Sequence, residues 1–208
     1  MSNVAIVGDP SGTGTFTISA PNGNTDRTLV LPDEAGTVLT TAGVPASAMP
    51  AGSVLQVVSA TKSDTQSTSL QAWRDVTGLS VSITPSSASN KIMVIVNVQG
   101  SGSNRYTAIR VVRNSTVVGV GDTAGSRTSV LSGFGLDPDA GTGYVYTLYN
   151  AHGSFLDTPS STSAQTYKVE FGSVNSAVTT YINRTSEDAD ASYTLRGISS
   201  ITVMEIAG

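Results

Sequence analysis

Apolar and polar residues alternate with a period of two along much of this chain. The clearest stretch is residues 73–99. There Leu79, Val81 and Ile83 fall on alternate positions, a polar break follows from Pro85 to Asn90, and then comes the run Ile92-Met93-Val94-Ile95-Val96-Asn97-Val98-Gln99. Alternation predicts a strand buried on one face, and the nearly unbroken β-branched run predicts a central strand buried on both. Further strands are expected at residues 53–60, 106–113, 117–119, 129–136, 144–149, 167–171, 179–183, 193–196 and 200–206. In one of them Tyr167, Val169 and Phe171 face inward while Lys168 and Glu170 face out. No long stretch carries apolar residues at i, i+3, i+4 and i+7 behind a cap. The chain is therefore all-β, with residues 53–208 forming a β-sandwich of jelly-roll type. The pattern alone fixes no strand order.

Residues 1–41 read as a separate small β-meander. Three short segments carry its apolar anchors, Phe16 and Ile18, Leu29 and Leu31, and Val38 and Leu39, and they are separated by Pro21-Asn22-Gly23-Asn24 and Asp33-Glu34-Ala35-Gly36. A unit of about thirty residues with so few anchors is too small to be stable by itself. It is expected to complete its core against copies of itself or against a larger assembly, so these six residues are the candidates for anchoring and trimerisation. Residues 42–52 are small and punctuated by Pro45, Pro50, Gly43 and Gly52, and read as a linker.

Composition narrows the function. The chain has 208 residues, a formal charge of −4, one histidine and no cysteine. Scattered basic residues on an acidic chain argue against nucleic acid as a partner, because phosphate binding needs clustered cations. The absence of cysteine excludes disulfides and thiolate chemistry. A lone His152 excludes a two-histidine metal site, and no Gly-x-Ser-x-Gly elbow supports a serine triad. Gly119-Val120-Gly121-Asp122-Thr123-Ala124-Gly125 resembles a phosphate loop, but its spacing is wrong and no helix pattern follows, so it reads as a turn. The acidic clusters Asp137-Pro138-Asp139 and Glu187-Asp188-Ala189-Asp190 lack the spacing of a calcium loop. No cofactor, metal or catalytic residue is expected, nor a membrane-spanning segment or export signal.

The strings Gly12-Thr13-Gly14-Thr15-Phe16-Thr17-Ile18, Asn24-Thr25-Asp26-Arg27-Thr28-Leu29-Val30-Leu31-Pro32-Asp33 and Gly36-Thr37-Val38-Leu39-Thr40 resemble a module of tail-fibre and related virion proteins of tailed bacteriophages, notably marine and cyanobacterial ones. Residues 73–85, the string Ser154-Phe155-Leu156-Asp157-Thr158-Pro159 and the terminal Ser199-Ser200-Ile201-Thr202-Val203-Met204-Glu205-Ile206 resemble the C-terminal knob of that class. Such knobs are similar to jelly rolls of the tumour-necrosis-factor and C1q type, and the resemblance implies a homotrimer.

The function this implies is that of a non-enzymatic virion structural protein on the particle surface. It would be a short trimeric fibre that docks on other virion proteins through its N-terminal region and contacts a host surface glycan or protein through its knob. Two other readings are a head decoration or collar protein and a carbohydrate-binding adhesin. Host contact is expected in the strand-connecting loops at residues 137–143, 152–163 and 187–191. The candidate residues are Asp137, Asp139, Tyr144, His152, Asp157, Glu187, Asp188 and Asp190.

Overall fold

The computed structural model describes residues 11–13, 23, 46–102, 107–134, 145–174 and 177–208. The chain divides into two units, Met1–Leu39 and Thr40–Gly208, and the strands described below belong to the second. The anchors Phe16, Ile18, Leu29, Leu31, Val38 and Leu39 lie outside the described residues, as do Asp137, Asp139 and Tyr144.

The strands are β1 (Val54–Lys62), β2 (Gln66–Thr68), β3 (Arg74–Ile83), β4 (Lys91–Gly102), β5 (Thr107–Arg113), β6 (Thr116–Val118), β7 (Ser132–Gly133), β8 (Tyr149–Asp157), β9 (Gln165–Ser173), β10 (Thr180–Ile182) and β11 (Ser199–Ile206). All the pairings are antiparallel, and they form two sheets.

In the first sheet, β8 runs along one edge of β4 from Ile92 to Gly100. On the other edge β11 and then β10 follow one another. β1 pairs with β11 and β2 with β10, so β2 continues the line of β1. The sheet is therefore four rows wide: β1 with β2, β11 with β10, β4, and β8. The second sheet runs β3-β9-β5-β6, with β7 also on β5.

Numbered along the chain, the principal strands β1, β3, β4, β5, β6, β8, β9 and β11 give the order first, eighth, third, sixth in one sheet. The other reads second, seventh, fourth, fifth. This interleaving is the double Greek key of a jelly roll. Partners far apart in sequence make up nearly every pair, which is why local alternation could not reveal the order.

The core lies between the sheets. Val76, Leu79, Val81 and Ile83 of β3 and Tyr167, Val169 and Phe171 of β9 meet Ile92, Val94, Val96 and Val98 of β4 and Ile201 and Val203 of β11. Lys168 and Glu170 face out, as the alternation predicts. Val94 is fully enclosed. Its replacement by alanine should cost about 2–3 kcal/mol through the cavity left behind, read as a lower denaturation midpoint at unchanged slope.

Two expectations about β4 and β8 need correction. The apolar run of β4 predicts burial on both faces, but the inward Ile92, Val94, Val96 and Val98 are buried while the outward Met93 is half-buried and Ile95 and Asn97 are exposed. The strand is central because it is paired on both edges; no second layer covers its outer face among the described residues. Residues 152–163 are expected as a loop, yet His152 to Asp157 belong to β8. The inward positions of β8 include the small residues Ala151 and Gly153, which weaken its alternation. A Cβ on Gly153 would come within 2.7 Å of the Leu131 side chain, so Gly153 is small because Leu131 packs there.

The knob has two distinct ends. At the end where the chain arrives, a 3-10 turn at Ala46–Ala48 precedes β1, and Gly52 N–H donates to the Ala207 carbonyl while Ala207 N–H donates to that of Ser53. Here the inward carboxylate of Glu205 is 1 % exposed and accepts from Gln56 Nε2 (2.6 Å), Ser86 N–H (2.6 Å), Ser86 Oγ (2.8 Å) and Asn90 Nδ2 (2.6 Å). Burial opposes its charge, but these donors outweigh burial and hold its pKa below the ordinary glutamate value. Nearby, Asp157 Oδ2 accepts from Arg113 Nη1 (2.5 Å) and Tyr167 Oη (2.7 Å), joining the two sheets.

Candidate ligand-contacting pole

The opposite end is built on an interruption of the β11 row. β10 ends at Ile182, the chain leaves the sheet, and it returns to the same row at Ser199. Asn183, fully buried and at φ 60°, closes the base of this excursion. Asparagine tolerates left-handed backbone better than most residues because its short polar side chain bonds locally. Its Nδ2 donates to the carbonyls of Lys62 (2.7 Å) and Asp64 (3.0 Å), and its Oδ1 accepts from Ser199 Oγ (2.6 Å). Its backbone N–H donates to Gln99, and its carbonyl accepts from Gly197 N–H. One side chain thus fastens the exit, the return and the β1–β2 connection.

The excursion is held internally as well. Thr185 N–H donates to the Leu195 carbonyl, and Leu195 N–H donates to Thr185 Oγ1, pairing the two arms. Arg184 stacks over the Tyr181 ring at 4.1 Å and reaches Asp188 at 2.8 Å, and Arg196 bonds the other oxygen of the same carboxylate. The hydrogen bond from Arg196 and the charge of Arg184 hold the Asp188 carboxyl below the ordinary aspartate range. Thr194 Oγ1 donates to the carbonyls of Ala189 and Ala191, closing the tip.

A second segment, residues 145–148, joins this loop. Glu187 N–H donates to the Val145 carbonyl at 2.9 Å. The rings of Tyr146 and Tyr193 meet edge to face, with centroids 5.0 Å apart. Gly197 sits against Leu148 and Gln99 so closely that a Cβ would come within 2.8 Å of both. Residues 145–148 and 193–196, expected as strands, are instead parts of these loops. Only an isolated bridge from Arg184 to Arg196 remains of the second.

The result is a well-anchored loop pair that displays large side chains to solvent. Tyr146, Tyr193, Leu195 and Ile198 are all exposed, with Tyr193 at 57 % and Ile198 at 58 %. The same loop carries the exposed carboxylates of Glu187 and Asp190, neither of which has a side-chain partner among the described residues. Exposed rings and open carboxylates suit a hydroxyl-rich ligand: a ring can take the C–H face of a sugar, and a carboxylate can accept from paired hydroxyls.

Of the residues singled out from sequence, Glu187, Asp188 and Asp190 come together here. Asp188 is occupied by its two arginines and fixes the loop. His152 stands on the outer face of the four-row sheet opposite Asn97, two residues along β8 from Asn150, whose partner is Gln99. A shallow depression of about 320 Å3 runs there between β4 and β8 past Ile95, Asn97 and His152. Asp157 is at the far end of the knob, inside the sandwich. Tyr146, Tyr193, Leu195 and Ile198 are not among the expected site residues, since a tyrosine in a strand-like context suits a glycan contact, an interface or a core equally.

Among the described residues no group of three histidine or carboxylate side chains converges to hold a metal ion. No protein-family model matches the chain, and no curated protein is significantly similar to it.

Proposed function

We propose that this chain is a non-enzymatic virion structural protein, a short trimeric fibre whose jelly-roll knob contacts the host surface through the loop pair at residues 145–148 and 183–198. The N-terminal region docks on other virion proteins, and the particle surface is the site of action. The observation that carries this reading is the polarity of the knob. The chain arrives beside its own C-terminus at Gly52 and Ala207, while the exposed tyrosines and free carboxylates occupy the other end, about 30 Å away along β1. A module built to hold a contact surface away from its attachment point has this arrangement. The side-chain chemistry favours a host-surface saccharide as the contact.

The test uses the purified full chain and susceptible bacterial cells. Because Tyr146 and Tyr193 are exposed, changing both to serine should leave the melting temperature within a few degrees of the parent. Cell binding should fall about tenfold or more if the rings anchor the ligand. Undiminished binding by this double variant would overturn the assignment of the pole.

A further inference from the structure

We propose that the outer face of the four-row sheet is the surface by which copies of this chain pack on one another, an inference that rests on the oligomeric reading above. One row of cross-strand neighbours on this face is wholly apolar: Val57, Met204, Met93 and Leu156 lie side by side across β1, β11, β4 and β8. Ile95 and Val54 extend it. Val57 is 55 % exposed, Leu156 47 % and Ile95 40 %. A large uncharged patch of this kind on a sheet face marks an association surface.

The two outer faces of the sandwich differ sharply in charge. That of the β3-β9-β5 sheet carries an ion-pair network. Arg110 bonds Glu170 at 2.7 Å, Lys168 bonds Asp75 at 2.7 Å and Glu170 at 3.3 Å, and Arg110 stacks on Trp73 at 4.3 Å. It is built to face water. On the four-row sheet, Lys91 is the sole formal charge directed outward from the four long strands, and the carboxylates on β8 and β11, Asp157 and Glu205, both turn into the sandwich.

The occupant follows from these observations. The chain is acidic, at −4 overall. Two copies approaching through most of their surface bring several like charges together, but through this face each brings only Lys91, at the end of β4. Four rows about 4.8 Å apart and about eight residues long give a face on the order of 500 Å2 in projection. Side-chain relief raises the accessible area toward the roughly 800 Å2 per partner of a standard interface. The sequence of β4 points the same way, because its apolar run is that of a strand covered on both faces, and a second copy supplies the missing layer.

Sedimentation of the full chain at micromolar concentration should show an oligomer. The variant Val57→Asp with Leu156→Asp, both at exposed positions, should sediment as a monomer with an unchanged circular-dichroism spectrum. A second reading uses the lack of native cysteine: the thiol of Leu156→Cys should react with a maleimide at least tenfold more slowly than that of Ser80→Cys on the opposite sheet. An oligomer that survives the double substitution, with a freely reactive thiol at 156, overturns this face and leaves the oligomeric reading standing. A monomeric full chain with a reactive thiol overturns both. A monomer with a protected thiol overturns self-association in favour of cover by another part of the same chain.

Discussion

Replacing Asn183 by alanine is expected to cost about 3–4 kcal/mol, because buried partners lose their bonds and a β-carbon residue without a bonding side chain is held in left-handed backbone. The carbonyls of Lys62 and Asp64 and the hydroxyl of Ser199 all lose a partner at once. For a unit of this size that is a fall in melting temperature of roughly 6–16 °C. The loss should be concentrated at the pole: amide exchange in residues 183–198 should accelerate far more than in β4. Asn183→Gly should recover the backbone part but not the hydrogen bonds. Asn183→Asp should be as damaging as alanine at neutral pH, since a carboxylate would face two carbonyl oxygens. Equal acceleration of exchange throughout the sandwich would contradict the role assigned to this residue as the fastener of the loop.

The second large effect is at Glu205. Changing it to alanine leaves donors on Gln56, Ser86 and Asn90 without their acceptor beside the C-terminal strand, a loss of about 2–4 kcal/mol. The same group makes stability depend on acid. Its folded pKa lies below the ordinary value of 4.5. The stabilisation is therefore complete above that value and is lost as pH falls through the lower, folded one. Thermal melting of the parent should fall more steeply than that of Glu205→Gln between about pH 5 and pH 3. Parallel curves for the two proteins would show that the pKa of this carboxyl is the same folded and unfolded, and would contradict the stabilisation assigned to it.

Much of the fold is legible in local pattern. The inward sets of β3 and β9 follow from period-two alternation, and β4 and β11 announce themselves by β-branched runs. What pairs with what is not legible, because the partners β1 and β11, or β4 and β8, are brought together only by the sheet as a whole. β8 escaped because Gly153 and Ala151 occupy inward positions where the packing of Leu131 demands small residues. Missing that strand also misplaced Asp157, which shares the inward parity of Tyr149, Ala151 and Phe155 and so points into the sandwich. The acidic loop at Glu187 to Asp190 could be read as a surface feature. The exposure of Tyr146 and Tyr193 could not, since an aromatic side chain with a polar tip suits a core and a surface equally. Nor could the half-covered state of β4, where the sequence reports the packing the strand needs and not what provides it.

The central claim is that residues 183–198 form an outward-facing contact surface on a virion fibre. Gold-labelled antibody raised against that loop, applied to intact particles carrying this chain, tests it directly. The account predicts label at the distal end of the tail and adsorption blocked by the antibody. Label confined to the capsid faces, with adsorption unchanged, would contradict it.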